Sequence, residues 1–116
     1  MSTANRTGIR IASVDDIPEG EGIEIPRDVT GTEDDIALLK DDDGSVYALN
    51  NTCPHEIASL AEGWVEDGKV ECPLHSSKFC LRTGAVEGLP ATKDAVAHKV
   101  EVRNGEVYVF PGEQPS

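Results

Sequence analysis

The 116-residue sequence has few aromatic and few basic residues. One Trp, two Tyr and two Phe give an aromatic fraction of 4%, so a core must rely on Val, Ile, Leu and Ala, with help from any bound metal. Ten Lys and Arg stand against 22 Asp and Glu, for a formal net charge of -12. Phosphate backbones and anionic lipid surfaces repel such a chain. The charge therefore disfavours nucleic acid and membranes as partners and favours a basic patch on another protein.

The sequence also lacks a long apolar segment, and we expect no signal peptide or transit sequence at its start. Residues 1–8 are polar, with one Arg and no apolar run behind them, and no stretch approaches membrane-spanning length. We therefore expect a cytoplasmic protein. Thiols stay reduced in that compartment, and three cysteines is an odd number, so no disulfide framework is expected. Cys53, Cys72 and Cys80 need another explanation.

Short β-branched runs between Pro and Gly residues indicate an all-β fold. Residues 56–62 are the one candidate helix, of a turn or two. The Asn104-Gly105 pair predicts a type I′ hairpin turn, because Asn and Gly adopt positive φ at little cost. The expected strands are Ile9–Val14, Gly22–Ile25, Ile36–Lys40, Ser45–Leu49, Trp64–Glu66, Lys69–Cys72, Lys78–Leu81, Ala95–Arg103 and Glu106–Phe110.

Two segments, residues 53–55 (CPH) and 72–75 (CPLH), carry the chemistry of the sequence. Sixteen residues, 56–71, separate them. Each segment follows a predicted strand, so two hairpin tips can face each other and bring two thiolates and two imidazoles to one point. Sulfur and nitrogen ligands suit zinc or an iron-sulfur cluster, whereas magnesium and calcium prefer oxygen.

The order of these ligands favours a 2Fe-2S cluster over zinc. Zinc fingers commonly pair their cysteines in one loop and their histidines on one helix. Here each segment supplies one thiolate and one imidazole, which is the mixture needed by a cluster with two cysteines on one iron and two histidines on the other. A zinc-stabilised protein interaction module remains the alternative. The candidate ligands are Cys53, His55, Cys72 and His75.

The pattern C-x-H, sixteen residues, C-x-x-H is similar to the Rieske fingerprint. Residues 51–55 (NTCPH), 68–75 (GKVECPLH) and 78–84 (KFCLRTG) resemble the small Rieske-type 2Fe-2S ferredoxins of multicomponent bacterial aromatic-ring-hydroxylating dioxygenase systems. The resemblance spans roughly residues 8–110 and implies a Rieske-type fold: an antiparallel β-sandwich base with a smaller cluster-binding subdomain formed by two hairpin loops. Residues 1–116 are then a single Rieske domain, with that subdomain at approximately 48–85.

The resemblance implies an electron carrier and not an enzyme. Such a ferredoxin carries one electron from an NAD(P)H-dependent flavin reductase to the Rieske centre of a terminal aromatic-ring dioxygenase, through transient contacts. A catalytic mononuclear iron needs two histidines and a carboxylate, but two of the three histidines in the sequence are assigned to the cluster. We expect a monomer that binds neither nucleic acid nor a membrane. A Rieske subunit of a larger reductase complex is the alternative.

The resemblance also implies a role for each ligand. Cys53 and Cys72 would bind the buried iron. His55 and His75 would bind the outer iron, with imidazole edges near solvent. The two histidines are then the exit for the electron.

The sequence differs at several positions from other Rieske proteins. Rieske proteins of cytochrome bc complexes carry a cross-linking cysteine in each loop, and Ala58 and Leu74 stand at those places. High-potential relatives place a serine and a tyrosine after the second histidine, and this chain has Ser77 and Phe79. One hydroxyl donor to sulfur is thus present, and such hydrogen bonds raise the reduction potential. Pro90 matches the proline loop that covers the third side of the cluster.

Other conspicuous residues are given structural roles. Trp64 is expected to fill the core, Cys80 to act as a small buried hydrophobe, and His98 to be a surface or boundary residue of an alternating strand. A calcium loop counted from Asp41 would need Gly at its sixth position and Glu at its twelfth, but Val46 and Thr52 stand there. We expect the aspartates of residues 41–43 (DDD) to be solvated in a turn.

Overall fold

The computed structural model describes residues 8–52, 59–73, 77–87 and 94–113. Within these ranges the all-β prediction is confirmed, and strand ends differ from the predicted ones by at most two residues. Helix in the described part of the chain is limited to α1 (Arg27–Thr30) and the 3₁₀ turns Val14–Asp16 and Leu60–Glu62. The strands are β1 (Ile9–Ser13), β2 (Gly22–Ile25), β3 (Ile36–Lys40), β4 (Val46–Asn50), β5 (Trp64–Glu66), β6 (Lys69–Glu71), β7 (Lys78–Cys80), β8 (Ala97–Arg103) and β9 (Glu106–Phe110).

The described strands form one large and one small antiparallel sheet. The large sheet has the order β1-β9-β8-β4-β3-β2, and the small sheet the order β5-β6-β7. Ala12 of β1 and Ile25 of β2 stand at opposite ends of the large sheet, yet both belong to one buried cluster. The large sheet therefore curls around that cluster. We call it the base core: Ala12, Ile17, Ile25, Ile36, Leu38, Ala48, Val107 and Val109.

Strand β3 is buried on both faces because it separates two cores. Ile36 and Leu38 point into the base core, whereas Ala37 and Leu39 point to the opposite face, as side chains alternate along a strand. This second cluster lies between the large and small sheets. We call it the upper core: Ala37, Leu39, Leu49, Leu60, Ala61, Val65, Val70, Cys72, Phe79, Leu81 and Ala95.

Two tight hairpin turns have type I′ geometry, as predicted for Asn104-Gly105. Asn104 and Gly105 have φ of 52° and 79°, and Asp67 and Gly68 have φ of 56° and 77°. Positive φ at both central residues is the type I′ signature, whose twist matches that of the flanking strands. The sequence pattern of Asn or Asp followed by Gly thus fixes β8 against β9 and β5 against β6.

Asp41 joins the two sheets. It is 5% exposed, and its Oδ2 accepts a hydrogen bond of 2.9 Å from the Gly68 backbone N–H in the small sheet. Its Oδ1 accepts one of 2.9 Å from the Asp42 N–H. The prediction of a solvated turn is therefore wrong for Asp41. A buried carboxylate with two N–H partners holds the β3–β4 turn against the β5–β6 turn.

Trp64 does not fill the core as predicted. It is 61% exposed, because Val65 takes the inward position of the three-residue strand β5 and the flanking side chains point outward. Gly63 precedes it, where a Cβ would collide with the Glu71 carbonyl oxygen. Close approach of the two backbones fixes the place of Trp64 beside β6. No helix among the described residues is long and apolar enough to span a membrane.

Candidate metal centre

The ends of segment 53–58, which holds two predicted ligands, are tied together. Thr52 and Ser59 form an isolated antiparallel bridge. The Asp34 carboxylate accepts hydrogen bonds from the Thr52 backbone N–H at 2.8 Å and from its hydroxyl at 2.9 Å. Hydrogen bonds to an ionised acceptor are among the stronger ones. Asp34 therefore anchors the residue that directly precedes Cys53.

Asn51 holds the same two ends from the inside. Its side chain is buried, with the residue 6% exposed, and its Oδ1 accepts from the Ser59 hydroxyl and the Ala61 N–H, both at 3.0 Å. Its backbone carbonyl accepts from the Leu60 N–H at 2.8 Å, and its N–H donates to the Asp35 carbonyl at 2.8 Å. One side chain and one peptide unit thus connect the strand before segment 53–58 to the turn after it.

The second predicted segment is closed in a similar way. Cys72 follows β6, and its N–H donates to the Ser77 carbonyl at 2.7 Å. Cys72 is 1% exposed and Ser77 is fully buried. The hydrogen bond brings the two ends of segment 73–76 together and directs the Cys72 side chain into the upper core.

A third segment, 88–93, has its ends joined near the same place. The Val86 N–H donates to Asp94 Oδ1 at 2.9 Å, and the Ala95 N–H donates to the Gly84 carbonyl at 2.7 Å. Val86 also bridges to Phe79 of β7. A Cβ at Gly84 would collide with the Ala95 carbonyl oxygen, so the close contact requires glycine.

The stretches that flank all three segments contribute to the upper core. Leu49, Cys72, Phe79 and Ala95 come from the four flanking stretches, and all are members of that cluster. The predicted ligand Cys72 is therefore shielded from water in the same buried cluster as residues from the stretches that flank the other two segments. The predicted residues Cys53, His55, His75 and Pro90 lie outside the described residues.

The donor set fits an iron-sulfur centre. Cys72 is 1% exposed, and a thiolate buried to that extent is unfavourable without a compensating positive charge. An iron ion would supply that charge. The two predicted cysteines and two predicted histidines supply the mixed sulfur and nitrogen ligands that a two-iron centre takes. Among the described residues, no three His, Cys, Asp or Glu side chains are placed to hold a metal ion.

Acidic side chains surround the base of segment 53–58. A hydrogen bond between Glu24 and Asp35 raises the pKa of Glu24 and lowers the pKa of Asp35. Asp34 and Glu62 are close enough to Glu24 to raise its pKa further by repulsion. Thr52, which precedes the first segment, therefore lies beside a concentration of negative charge.

Cys80 and His98 both differ from their predicted surroundings. Cys80 is half-buried; burial raises the pKa of its thiol, but hydrogen bonds with Thr83 and Arg82 outweigh this and lower it. His98 is 6% exposed and not a surface residue. Its Nδ1 accepts from the Gly112 N–H at 3.0 Å, so Nε2 carries the proton and donates to Asn50 Oδ1 at 2.7 Å. Burial lowers the pKa of His98.

Sequence reasoning missed the residues that anchor the segments. Asn51 was part of a matched motif, but its partners Ser59 and Ala61 follow no recognisable spacing. Asp34 binds a residue eighteen positions away, and only the folded β3–β4 pair brings them together. No periodic or motif signal marks such contacts, although a polar Asn beside a predicted ligand is a usable hint.

Comparison with known proteins identifies the centre. Residues 8–111 match the family model of the Rieske [2Fe-2S] domain. The 3-phenylpropionate/cinnamic acid dioxygenase ferredoxin subunit of Escherichia coli (strain K12) is 42% identical over 104 residues, covering 88% of this chain and 92% of that protein. The match leaves the zinc-stabilised module without support.

Solved structures agree with this result. The ferredoxin of carbazole 1,9a-dioxygenase from Nocardioides aromaticivorans IC177 matches with a TM-score of 0.77 at 32% identity, covering 94% of this chain and 98% of that one. A ferredoxin solved in a complex of reduced oxygenase and oxidized ferredoxin in carbazole 1,9a-dioxygenase matches with a TM-score of 0.75 at 33% identity, covering 86% and 98%.

The predicted Rieske-type fold and its cofactor, one Rieske-type 2Fe-2S cluster, are therefore confirmed. The match spans nearly the whole chain, and its ferredoxin relatives are of similar length. The chain belongs to the Rieske [2Fe-2S] domain family, among the ferredoxin subunits of aromatic-ring dioxygenase systems.

Proposed function

We propose that this protein is the electron carrier of an aromatic-ring dioxygenase system and has no catalytic activity of its own. It takes one electron from an NAD(P)H-dependent flavin reductase and delivers it to the Rieske centre of a terminal oxygenase. The observation that carries the proposal is that the buried Cys72 shares the upper core with residues from the stretches that flank all three segments, in a chain 42% identical to a dioxygenase ferredoxin subunit. We further propose that it acts as a monomer in the cytoplasm.

Four residues hold the cluster in this proposal. Cys53 and Cys72 bind the buried iron, and His55 and His75 bind the outer iron. The cluster, when bound, supplies a one-electron redox couple. Support for the assignment comes from the 1% exposure of Cys72 and from the hydrogen bonds that join the ends of both ligand segments.

The remaining residues position these ligands and set their surroundings. Asn51 and Asp34 fix the first segment, and the Cys72–Ser77 hydrogen bond fixes the second. In this proposal Ser77 would donate its hydroxyl to a sulfur of the bound cluster, and Pro90 would help to cover the cluster. The whole arrangement belongs to one Rieske domain, residues 1–116, whose cluster-binding part is residues 48–85.

Transient partners suit the charge of the chain. Residues 1–50 hold twelve acids and four bases, a net charge of -8 out of -12. A carrier that meets two partners in turn must bind each briefly, and long-range attraction speeds encounter without a tight complex. The acidic residues of the segment 1–50 therefore attract a basic surface of the partner. The edge formed by His55 and His75 makes the contact through which the electron passes.

Reconstitution with purified components tests the proposal. The purified protein should contain about two irons and two acid-labile sulfides per chain. After anaerobic reduction, it should be reoxidised by the oxygenase component of a 3-phenylpropionate/cinnamic acid or a carbazole 1,9a-dioxygenase. The His75→Ala variant is the control and should lack the reaction. Zinc as the only bound metal, or no reoxidation by either oxygenase, would contradict the proposed function.

A further inference from the structure

The outer face of the small sheet presents an exposed indole between carboxylates. Trp64 is 61% exposed, and it lines a hollow of about 170 Å³ with Glu66, Asp67, Lys69, Glu71 and Lys78. We call this set the Trp64 hollow. Tryptophan is a common anchor of protein interfaces, because it offers a large rigid surface. Trp64 lies outside the core, so packing does not explain its position, whereas binding of a partner would.

The Trp64 hollow lies next to the second ligand segment. Trp64, Glu71 and Lys78 form one row across the three strands. Glu71 directly precedes Cys72, and Lys78 directly follows Ser77, so this row is the end of the sheet from which segment 73–76 departs. A protein bound over the row would also reach the side of the molecule that carries the second ligand segment.

The charged side chains of the Trp64 hollow indicate which chemical group binds there. The Lys69 ammonium lies 3.2 Å from Glu87 Oε1, so its charge is already balanced. Glu71 stands directly opposite Trp64, and Glu66 is on the same side of β5 two residues away. Lys78 stands opposite Glu71 on β7 and offsets part of its charge, but the hollow still holds three acids against two bases. An indole flanked by two carboxylates suits a guanidinium, which stacks on the ring and forms hydrogen bonds with carboxylate oxygens.

We propose that the Trp64 hollow is a docking surface for an arginine side chain of the terminal oxygenase. This inference rests on the proposed function. The oxygenase is chosen over the reductase because a relative of this chain has been solved in complex with its oxygenase, and because the row borders the segment that holds His75. The net charge of -12 favours a basic surface on that partner.

Stopped-flow reoxidation of the reduced protein by the oxygenase tests the inference. The rate is measured as a function of oxygenase concentration for the wild type and for Trp64→Ala, which gives a half-saturating concentration and a limiting rate. Trp64→Ala should raise the half-saturating concentration about 10-fold or more and leave the limiting rate unchanged. Glu71→Gln should raise it about 3-fold, and Trp64→Phe should fall between wild type and Trp64→Ala.

Val102→Ala is the matched control. Val102 is 49% exposed, but it lies on β8 of the large sheet, so its removal should leave both parameters unchanged. Visible and EPR spectra of every variant should equal those of the wild type, because the hollow holds no proposed ligand.

Three results would overturn the inference. Equal half-saturating concentrations for Trp64→Ala and wild type would show that the hollow is not used. A lower limiting rate at unchanged half-saturation would assign Trp64 to electron relay and not to docking. Slower reduction by the reductase, with unaltered oxygenase kinetics, would assign the surface to the reductase. Failure of the wild type to react with any oxygenase would refute the proposed function instead.

Discussion

Replacing Asn51 with Ala should destabilise the protein at the base of the first ligand segment. The carboxamide Oδ1 accepts from the Ala61 N–H at 3.0 Å, and Ala61 is only 7% exposed. A buried N–H left without a partner costs about 1–3 kcal/mol. The Ser59 hydroxyl, which also binds Oδ1 at 3.0 Å, is half-buried and can turn to water, so its loss costs about 1 kcal/mol.

Together these costs lower the free energy of unfolding by about 2–4 kcal/mol, out of the roughly 5–15 kcal/mol typical of a small domain. Chemical denaturation followed by far-UV circular dichroism measures the change. Bleaching of the visible absorption should be faster, because Asn51 stands two residues before the proposed ligand Cys53.

Asn104→Gly is the matched control for this substitution. Asn104 is exposed and has a φ of 52° in a turn, a conformation that glycine adopts without strain. Its replacement should change the free energy of unfolding by no more than about 0.5 kcal/mol. If Asn51→Ala were equally mild, the side chain would not hold the segment and the argument would be refuted.

Four further outcomes are expected. Burial lowers the pKa of His98, so the unfolded chain binds a proton at higher pH than the folded one. The contribution of neutral His98 to the free energy of unfolding is complete above about pH 6.5 and is lost as the pH falls below that value. In denaturation measured at several pH values, the free energy of unfolding of His98→Gln should fall less steeply with decreasing pH than that of the wild type. An equal slope for the two proteins would contradict the assignment. His75→Cys, if the cluster assembles, should lower the midpoint potential measured by redox titration, since all-thiolate ferredoxins lie near about -400 mV and Rieske centres at about -150 mV and above; a raised potential would argue against His75 as a ligand. Ser77→Ala should lower the potential by less, and an equal potential would show that the hydroxyl donates no hydrogen bond to sulfur. Electron transfer to the oxygenase should slow between about 0.1 M and about 1 M salt, as the Debye length falls from about 10 Å to about 3 Å; a flat profile would mean that the acidity does not steer the encounter.

The strand pattern was predictable because each element carries a local signal. Alternating apolar residues, Gly-containing turns and β-branched runs marked all the strands among the described residues, and the Asn104-Gly105 turn had the expected geometry. The short helix α1 was missed. It spans four residues and ends at Gly31 in a left-handed conformation, and so short a segment shows no helical periodicity.

Side-chain environments were harder to predict because they depend on tertiary contacts. Trp64 was expected in the core on the basis of its size, but a three-residue strand has one inward position and Val65 occupies it. Asp41 was expected in water, but the turn at Gly68 supplies an N–H to its carboxylate. His98 reads as a boundary residue in its strand, yet Asn50 and Gly112 enclose it.

The class of cofactor was predictable from the order of the candidate ligands, and the family from the resemblance of their motifs to the Rieske fingerprint. Mixed cysteine and histidine pairs at a defined spacing leave few chemistries open, and they led to the family that the comparisons show. The anchors Asn51, Asp34 and Asp94 were not predictable in this way. Each accepts a hydrogen bond from a backbone N–H. The sequence gives no signal of which backbone N–H groups need a side-chain acceptor in the folded chain.

The number of histidine nitrogens bound to the cluster is the most direct test of the proposed ligand set. The sequence has three histidines, and both ring nitrogens of His98 are already engaged by Asn50 and Gly112, which leaves His55 and His75. Pulsed EPR of the reduced protein labelled with ¹⁵N-histidine should therefore show hyperfine coupling to two histidine nitrogens, with one lost in a His75→Cys variant that keeps its cluster. Coupling to no histidine nitrogen, or two couplings retained in that variant, would contradict the account.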